Sequence, residues 1–170
     1  MKVLRLILIL FVVGICLSCQ TNSTNEAIEE LEVYKILLTN KPKEIVVINQ
    51  TIVGVFGEIE TGGLKHILKG LQDDTFESLA KRNLSSTDIT FHSNLGFDYQ
   101  ILSQKDFETK KEKLIRYYLF SRVGFSNDGK QAVVRFDEVC HPLCSKGAYY
   151  LLSKKKGFWQ VEEESEYWRS

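Results

Sequence analysis

Two cysteines and a histidine lie within five residues of one another in the stretch 139–147, which reads VCHPLCSKG. Side chains of this type at this spacing suit three kinds of chemistry. Cys140 and Cys144 could form a structural disulfide, they could bind a soft ion such as Cu(I) together with His141, or one thiolate could act as a redox group. The choice depends on the compartment and on the elements that hold the stretch.

The N-terminus has the layout of a secretory signal. Lys2 and Arg5 precede an unbroken apolar run from Leu6 to Leu17, which is 12 residues long. A membrane-spanning helix needs about 20 apolar residues, so this run is too short to cross a bilayer. It therefore predicts export of the chain.

A small residue and a cysteine follow the apolar run directly, as Leu17-Ser18-Cys19. This arrangement resembles the lipobox of bacterial lipoproteins, in which the signal is removed and the new terminal cysteine carries acyl chains. The resemblance implies a signal peptide at residues 1–18, lipidation of Cys19 with chains such as palmitate, and a polar tether at residues 19–24. Several acyl chains give stable anchoring in membrane lipid. An ordinary cleaved secretory signal is the alternative.

Export bears on the two late cysteines. With Cys16 removed in the signal and Cys19 acylated, Cys140 and Cys144 are the remaining thiols. Paired thiols outside the cytosol oxidise and persist as disulfides. Copper-handling thioredoxin-like lipoproteins place such a pair between a strand and a helix, whereas hairpin strands are predicted on both sides here. We predict a disulfide, with a copper or thiol-redox site as the alternative.

The length of the mature chain suits one domain, and its charge does not suggest nucleic-acid binding. From Cys19 onward the chain has 152 residues, enough for one domain with a hydrophobic core. It carries 20 basic against 22 acidic residues, without the basic stripe of a nucleic-acid-binding protein. We interpret the runs at 154–156 (KKK) and 162–164 (EEE) as exposed faces of a hairpin.

The first two thirds of the chain alternate helix and strand patterns. Apolar residues at three- and four-residue spacing predict an amphipathic helix over 25–40, with Glu26, Glu29 and Glu30 in its first turns. Shorter helices are predicted at 64–71, at 75–82 with Asp74 as its cap, and at 104–113. Strands are predicted at 44–53, 87–91 and 97–102.

The last third predicts an antiparallel meander. Strand patterns occupy 115–126, 131–140, 148–153 and 158–168, with turns at Asn127-Asp128-Gly129 and Lys156-Gly157. We therefore predict a single α+β domain over residues 25–170. Its C-terminal antiparallel β-meander packs against the N-terminal and central helices, which cover one face of the sheet.

The chain also resembles a group of uncharacterised lipoproteins of Gram-negative bacteria. The shared residues are Ser121-Arg122-Val123-Gly124-Phe125, Gln131-Ala132-Val133, Cys140, Leu143-Cys144, Gly147, Tyr149, Leu151-Leu152, Gly157, Trp159 and Trp168-Arg169-Ser170. The resemblance spans most of the mature chain. It implies a fold and a location in the cell envelope, and it carries no activity.

Four of these residues have competing interpretations. We interpret Arg122 as one side of an internal ion pair or as a solvent-facing residue, rather than as a ligand for a substrate carboxylate. Gly124 is interpreted as a β-bulge rather than a site of close backbone approach. Trp159 and Trp168 are interpreted as core anchors rather than as stacking surfaces for a sugar.

No nucleophile and base stand in a recognisable catalytic motif, and His66, His92 and His141 are the only histidines. We expect a non-enzymatic binding or structural module without a cofactor, anchored by its acyl chains on the periplasmic or cell-surface side of a membrane. A copper-binding or thiol-redox protein is the alternative. An enzyme acting on a small ligand between sheet and helices is a third possibility, based on fold analogy.

Overall fold

A computed structural model describes residues 25–42, 45–48, 63–84, 99–140 and 144–170 of the chain. Several predictions lie outside these ranges: the signal peptide at 1–18, the tether at 19–24 with Cys19, the strand at 87–91 and the position of His141. They stay predictions. The remaining elements can be compared directly with the sequence patterns.

Helix α1 spans residues 25–38 and confirms the longest helical pattern, ending two residues before the predicted boundary. Its buried positions are Val33, Tyr34, Leu37 and Leu38. These recur at three- and four-residue spacing, so they form one apolar stripe that a neighbouring layer can cover. Glu30 is the exception among the buried positions of α1, because it is a carboxylate.

Within the described ranges three shorter helices follow, and each was predicted. They are α2 (Gly63–Ile67), α3 (Asp73–Arg82) and α4 (Gln104–Lys110), the last continued by a 3-10 turn at Lys111–Lys113. The predicted cap of α3 is wrong: Gln72 is the N-cap, and it makes no side-chain capping bond. The Asp74 carboxylate instead accepts from the backbone N–H groups of Thr75 and Asn127, both at 2.8 Å.

In the part of the chain that the structure describes, seven strands form one sheet. They are β1 (Ile45–Ile48), β2 (Tyr99–Leu102), β3 (Arg116–Phe120), β4 (Gly124–Phe125), β5 (Gln131–Cys140), β6 (Lys146–Lys155) and β7 (Phe158–Arg169). Their spatial order is β2-β1-β3-β5-β6-β7, and β4 also pairs with β5. Pairing is antiparallel from β3 to β7 and parallel where β1 meets β2 and β3.

The fold is therefore α+β, and the predicted antiparallel meander is confirmed. It consists of β3, β5, β6 and β7 in chain order. One predicted strand, at 115–126, is divided into β3 and β4 by Ser121, Arg122 and Val123. This break proves important, because its residues contact two helices. The Ser121 carbonyl accepts from Tyr34 of α1, and Arg122 bonds to Glu30 of α1 and to Asn83 at the end of α3.

Helices cover both faces of the sheet, so the expectation that they share one face is wrong. Ala132, Val134 and Phe136 of β5 pack with the apolar stripe of α1. Val133, which lies between them in the strand, packs instead with Leu79 of α3 and with α2. Because successive strand residues point to opposite faces, α1 and the α2–α3 pair lie on opposite sides. The sequence predicted both apolar sets but not their partners.

The β6–β7 connection is a two-residue hairpin, as predicted. Lys156 and Gly157 both adopt left-handed backbone conformations, with φ of 53° and 87°. Two consecutive positive φ values define the type I′ turn, whose twist matches that of the flanking strands. The residues on either side, Lys155 and Phe158, form the last pair of the ladder. The hairpin tip is thus a tight turn that directly follows the last pair of the ladder.

The buried tyrosines predict a loss of stability in alkali. Burial raises the pKa of several tyrosine phenols. At four of them a hydrogen-bonded carboxylate raises the pKa further: Glu30 beside Tyr34, Glu138 beside Tyr118, Glu164 beside Tyr150 and Asp137 beside Tyr167. A phenol whose pKa is raised by folding stabilises the fold fully below its unfolded pKa, and that contribution is lost as the pH rises through the folded value. We expect the free energy of unfolding to fall above about pH 10, the ordinary tyrosine pKa.

Urea denaturation at about pH 8 and about pH 11, on either side of that pKa, measures the effect. A Tyr150→Phe variant cannot ionise at this position, so its stability should fall less between the two values. An identical fall in the variant and the unsubstituted protein would show that this phenol does not contribute.

Candidate functional site

A buried carboxylate organises the region where α1, α3 and the break in the sheet meet. Glu30 is 5% exposed. Its oxygens accept from the Arg122 Nε–H at 2.8 Å, the Arg82 Nη2–H at 3.0 Å and the backbone N–H of Val123 at 2.9 Å. The Tyr34 hydroxyl lies 2.8 Å from the same carboxylate. The guanidinium groups neutralise the Glu30 charge and the other donors hydrogen-bond to it, so that the carboxylate is not left unpaired in the core.

Arg122 is an internal ion-pair partner, the first of the two positions that the sequence allowed. Burial would lower the pKa of Arg122, but the hydrogen bond and charge of Glu30 outweigh this and raise it. The guanidinium therefore stays charged and is committed to the fold. Its Nε–H is occupied by the Glu30 carboxylate.

Asn83 and Gly124 fix the path of the chain through this break. The Asn83 side chain accepts from the Arg122 N–H at 2.7 Å and donates to the Arg122 carbonyl at 3.0 Å. Gly124 lies against the backbone of α3: a Cβ there would stand 2.5 Å from the Leu79 nitrogen and 2.6 Å from the Thr75 oxygen. Interpreting Gly124 as a bulge was therefore wrong, because the residue allows a helix to approach the chain closely.

A cleft of about 720 Å³ opens beside this junction, a size that suits a small ligand. Four parts of the fold line it: the first turns of α1, the exposed side of α3, the turn between β4 and β5, and the junction of β6 with β7. The lining side chains are Asn25, Glu26, Glu29, Asp74, Glu77, Ser78, Lys81, Phe125, Ser126, Asn127, Lys154 and Trp159.

Two aromatic rings form the apolar part of the cleft. The Phe125 and Trp159 ring centroids are 5.7 Å apart. Trp159 is largely buried, which confirms its interpretation as a core anchor. Its indole N–H donates to Glu29 Oε2 at 2.7 Å. The ring thus has one side in the core and an edge that is hydrogen-bonded at the cleft.

Cations of the protein itself lie over both rings. Lys154 Nζ is 5.4 Å from the centroid of the Trp159 ring, and Arg82 Cζ is 5.6 Å from that of Phe125. Both distances are within the range in which a cation is attracted to a ring face. Lys154 also pairs with Glu29, and Arg82 pairs with Glu26. The cleft is therefore an environment in which positive charge is stabilised from several directions.

Glu77 and Lys81 are the cleft residues best placed to meet a ligand. They stand four residues apart on the exposed side of α3, and neither forms an ion pair or hydrogen bond with the described residues. In contrast, Glu29 and Asp74 are held by other parts of the fold. No histidine or cysteine is among the described residues that line the cleft. Its groups suit binding through charge and hydrogen bonds.

Cys140 and Cys144 are joined by a disulfide, with their Cα atoms 5.4 Å apart. This confirms the pairing predicted from the sequence. The Ser145 hydroxyl closes the loop further, because it accepts from the Cys140 N–H at 3.1 Å and donates to the Cys140 carbonyl at 2.9 Å. The bridge joins the end of β5 to the chain that enters β6. Among the described residues, no three His, Cys, Asp or Glu side chains are grouped to hold a metal.

The disulfide lies at the other end of β5 from the cleft. Gln131 pairs with Ser153 near the cleft, whereas Glu138 pairs with Lys146 beside the bridge. Strands rise about 3.3 Å per residue, so a ten-residue strand separates the two places by about 30 Å. The structure therefore does not bring the two sequence features together, and a ligand in the cleft would not touch the cysteines.

Removing the bridge should weaken the fold moderately. A five-residue loop gives about 2 kcal/mol by chain entropy, so we expect the Cys140→Ser/Cys144→Ser variant to lose about that much stability in urea. An unchanged denaturation midpoint would contradict this. The same variant tests the copper alternative, because Cu(I) binding that depends on these thiols would disappear in it.

Trp168 is partly exposed and does not join the main core. It lies opposite Gly147 in the β6–β7 ladder, and its indole occupies the space that a side chain at that position would need. The ladder is shifted between Gly147 and Ala148, and such a bulge re-aims the side chains of the strand. Trp159 is part of the buried core, whereas Trp168 is not, so the interpretation as a core anchor applies to Trp159 alone.

Sequence patterns did not reveal the cleft or the role of Glu30. In the sequence, Glu30 is one of three carboxylates in the first turns of a helix, and all three are explained equally well by the helix dipole. The nearest signal was Arg122 in an otherwise apolar strand pattern, which allowed an internal ion pair or a solvent-facing position and identified no partner. The cleft residues come from four segments, and nothing in any one of them marks a site.

Comparison with known proteins adds no relative. No family model, curated protein or solved structure matches the chain. The resemblance to Gram-negative lipoproteins therefore stays a prediction from the residues quoted above. Within the described residues, no helix is long and apolar enough to cross a membrane.

Proposed function

We propose that the protein is a lipoprotein of the bacterial cell envelope whose domain binds a small cationic ligand in the cleft without transforming it. Two features support this proposal independently. The N-terminal residues address the chain to a membrane, and the cleft between α1 and α3 supplies a site. The observation that supports the binding function is the set of carboxylates around the two aromatic rings of the cleft.

The membrane part rests on the order of residues at the N-terminus. Basic residues, a short apolar run and Leu17-Ser18-Cys19 follow one another as in lipoprotein precursors. Processing there would leave Cys19 as an acylated N-terminus and place the domain on the periplasmic or cell-surface side of a membrane. Helix α1 begins six residues after this cysteine, so the tether is short.

The choice of a cation follows from the charges in the cleft. Four carboxylates line it, on Glu26, Glu29, Asp74 and Glu77, against the two ammonium groups of Lys81 and Lys154. A cavity with acidic walls concentrates cations. The aromatic rings reinforce this preference, since the protein already places Lys154 and Arg82 over them. Glu77 is the cleft carboxylate without an ion pair or hydrogen bond among the described residues, so we take a small diamine such as putrescine as the probe.

Intact-mass measurement tests the membrane part. The protein recovered from membranes should start at Cys19, carry added acyl mass and lack two hydrogens for the Cys140–Cys144 bridge. A mature chain that begins elsewhere or carries no acyl mass would refute the anchor and leave the cleft to be tested separately.

Titration with putrescine tests the binding part, with Trp159 as the fluorescent reporter because its indole N–H bonds to Glu29. Glu77→Gln should weaken binding by about fivefold, the effect of about 1 kcal/mol for an exposed charge pair. Glu112→Gln, on the 3-10 turn far from the cleft, is the matched control and should bind as the unsubstituted protein does. Equal affinity in both variants, or no response at all, would refute the assignment of the site.

A further inference from the structure

We propose that the tip of the β6–β7 hairpin, where Phe158 follows the turn, enters the membrane interface next to the lipid anchor. The domain would then stand on the bilayer with the cleft end downward and the disulfide end outward. This inference rests on the lipid anchor of the proposed function and goes beyond it, because an anchor alone leaves the orientation of the domain free.

The hairpin lies at the end of the domain from which the tether departs. Glu29, in the second turn of α1, contacts Lys154 Nζ at 2.5 Å and the Trp159 indole at 2.7 Å. Five residues separate Cys19 from the start of α1 at Asn25. A chain of this length reaches at most about 20 Å. The end of the domain that carries the hairpin therefore stays within about that distance of the lipid.

Phe158 has no structural reason to face water. It is 74% exposed, although it follows directly on the type I′ turn and pairs with Lys155 in a regular ladder. Ile28, in the first turn of α1 and next to Glu29, is 51% exposed, and Val161 of β7 is 43% exposed. The next residue, Trp159, packs in the core with α1, so Phe158 faces the opposite side of the sheet, and the three side chains share an end of the domain rather than one face. Exposed apolar side chains at one end suit contact with another apolar phase. The position of the anchor identifies that phase as lipid.

The lysines beside Phe158 suit the same surface. Lys154 pairs with Glu29 and Lys155 with Glu162, which leaves Lys156 at the turn without an ion pair among the described residues. An aromatic ring flanked by lysines fits the membrane interface, where the ring enters the acyl boundary and the ammonium groups remain among the phosphates. Because the type I′ turn is already formed in the folded domain, membrane contact at this tip would require no further ordering of the backbone.

The opposite end of the sheet offers a matched comparison. Ile115 is 81% exposed and precedes β3, whose first residue Arg116 pairs with Cys140. It is also flanked by basic residues, Lys113 and Arg116. Exposure and charge therefore do not distinguish the two ends. The tether does, because it leaves from the hairpin end, and so the inference predicts which of two similar tips contacts lipid.

Tryptophan quenching in lipid vesicles tests the orientation. The lipidated full-length products of Phe158→Trp and Ile115→Trp are incorporated into vesicles of phosphatidylethanolamine and phosphatidylglycerol, with and without brominated acyl chains. The unsubstituted protein supplies the background of Trp159 and Trp168. The emission added by Phe158→Trp should shift to the blue and be quenched by the brominated lipid, whereas that added by Ile115→Trp should not.

Each outcome decides the inference. Quenching of Ile115→Trp instead of Phe158→Trp would invert the orientation and overturn it, and equal or absent quenching of both in vesicle-bound protein would overturn it while leaving the anchor intact. If the chain carries no acyl mass and does not float with the vesicles, the anchor itself fails and the inference fails with it. Both side chains are exposed, so neither substitution is expected to impair folding.

Discussion

We expect the variant Glu30→Ala to lose about 3–5 kcal/mol of stability. Glu30 receives two guanidinium groups and a backbone N–H in a site from which water is largely excluded. Removing one partner of a buried ion pair costs about 3–5 kcal/mol, because the remaining charge is buried without a partner and without water to solvate it. That is a large share of the about 5–15 kcal/mol typical of a domain.

Urea denaturation with matched variants separates this effect from a loss of helix propensity. Glu32→Ala lies on the exposed side of the same helix and should change stability by less than about 0.5 kcal/mol. A double-mutant cycle of Glu30→Ala with Arg122→Ala should give strong coupling, since Arg122 loses much of its function once its partner is absent. Additive losses would mean that the two residues act independently, contrary to the geometry.

The second large effect is expected at Gly124. A methyl group there would overlap the backbone of α3 at Thr75 and Leu79, and a helix backbone cannot rotate away as a side chain can. We expect Gly124→Ala to destabilise the protein by about 3 kcal/mol, the upper end of the usual cost of overpacking. Because Glu77 and Lys81 lie on α3, displacement of this helix should also weaken binding in the cleft.

Gly70→Ala provides the control for Gly124→Ala. A Cβ at Gly70 would stand 3.4 Å from Leu151 Cδ2, an ordinary contact. Its stability in urea should therefore stay within about 0.5 kcal/mol of the unsubstituted protein. If both glycine variants lost the same stability, the close approach of α3 to Gly124 would not explain the result.

The sequence by itself determined the features that arise from neighbouring residues. The spacing of Ile28, Leu31, Tyr34, Leu37 and Leu38 predicted α1. Strand alternation around Lys156-Gly157 predicted the β6–β7 hairpin. The disulfide was predictable for the same reason, because its cysteines are separated by three residues at the end of a strand. In each case the deciding interaction spans a few residues, so the local pattern contains it.

Only the tertiary structure decided how these elements meet. The parallel pairing of β1 with β2 and β3, the covering of both sheet faces and the close approach of α3 to Gly124 all join distant segments. Glu30 and Arg122 are 92 residues apart. Many acids could have satisfied Arg122, and the choice depends on which side chains packing brings within about 3 Å, the distance that a hydrogen bond requires. The same holds for the cleft, which exists because four segments converge and which none of them encodes alone.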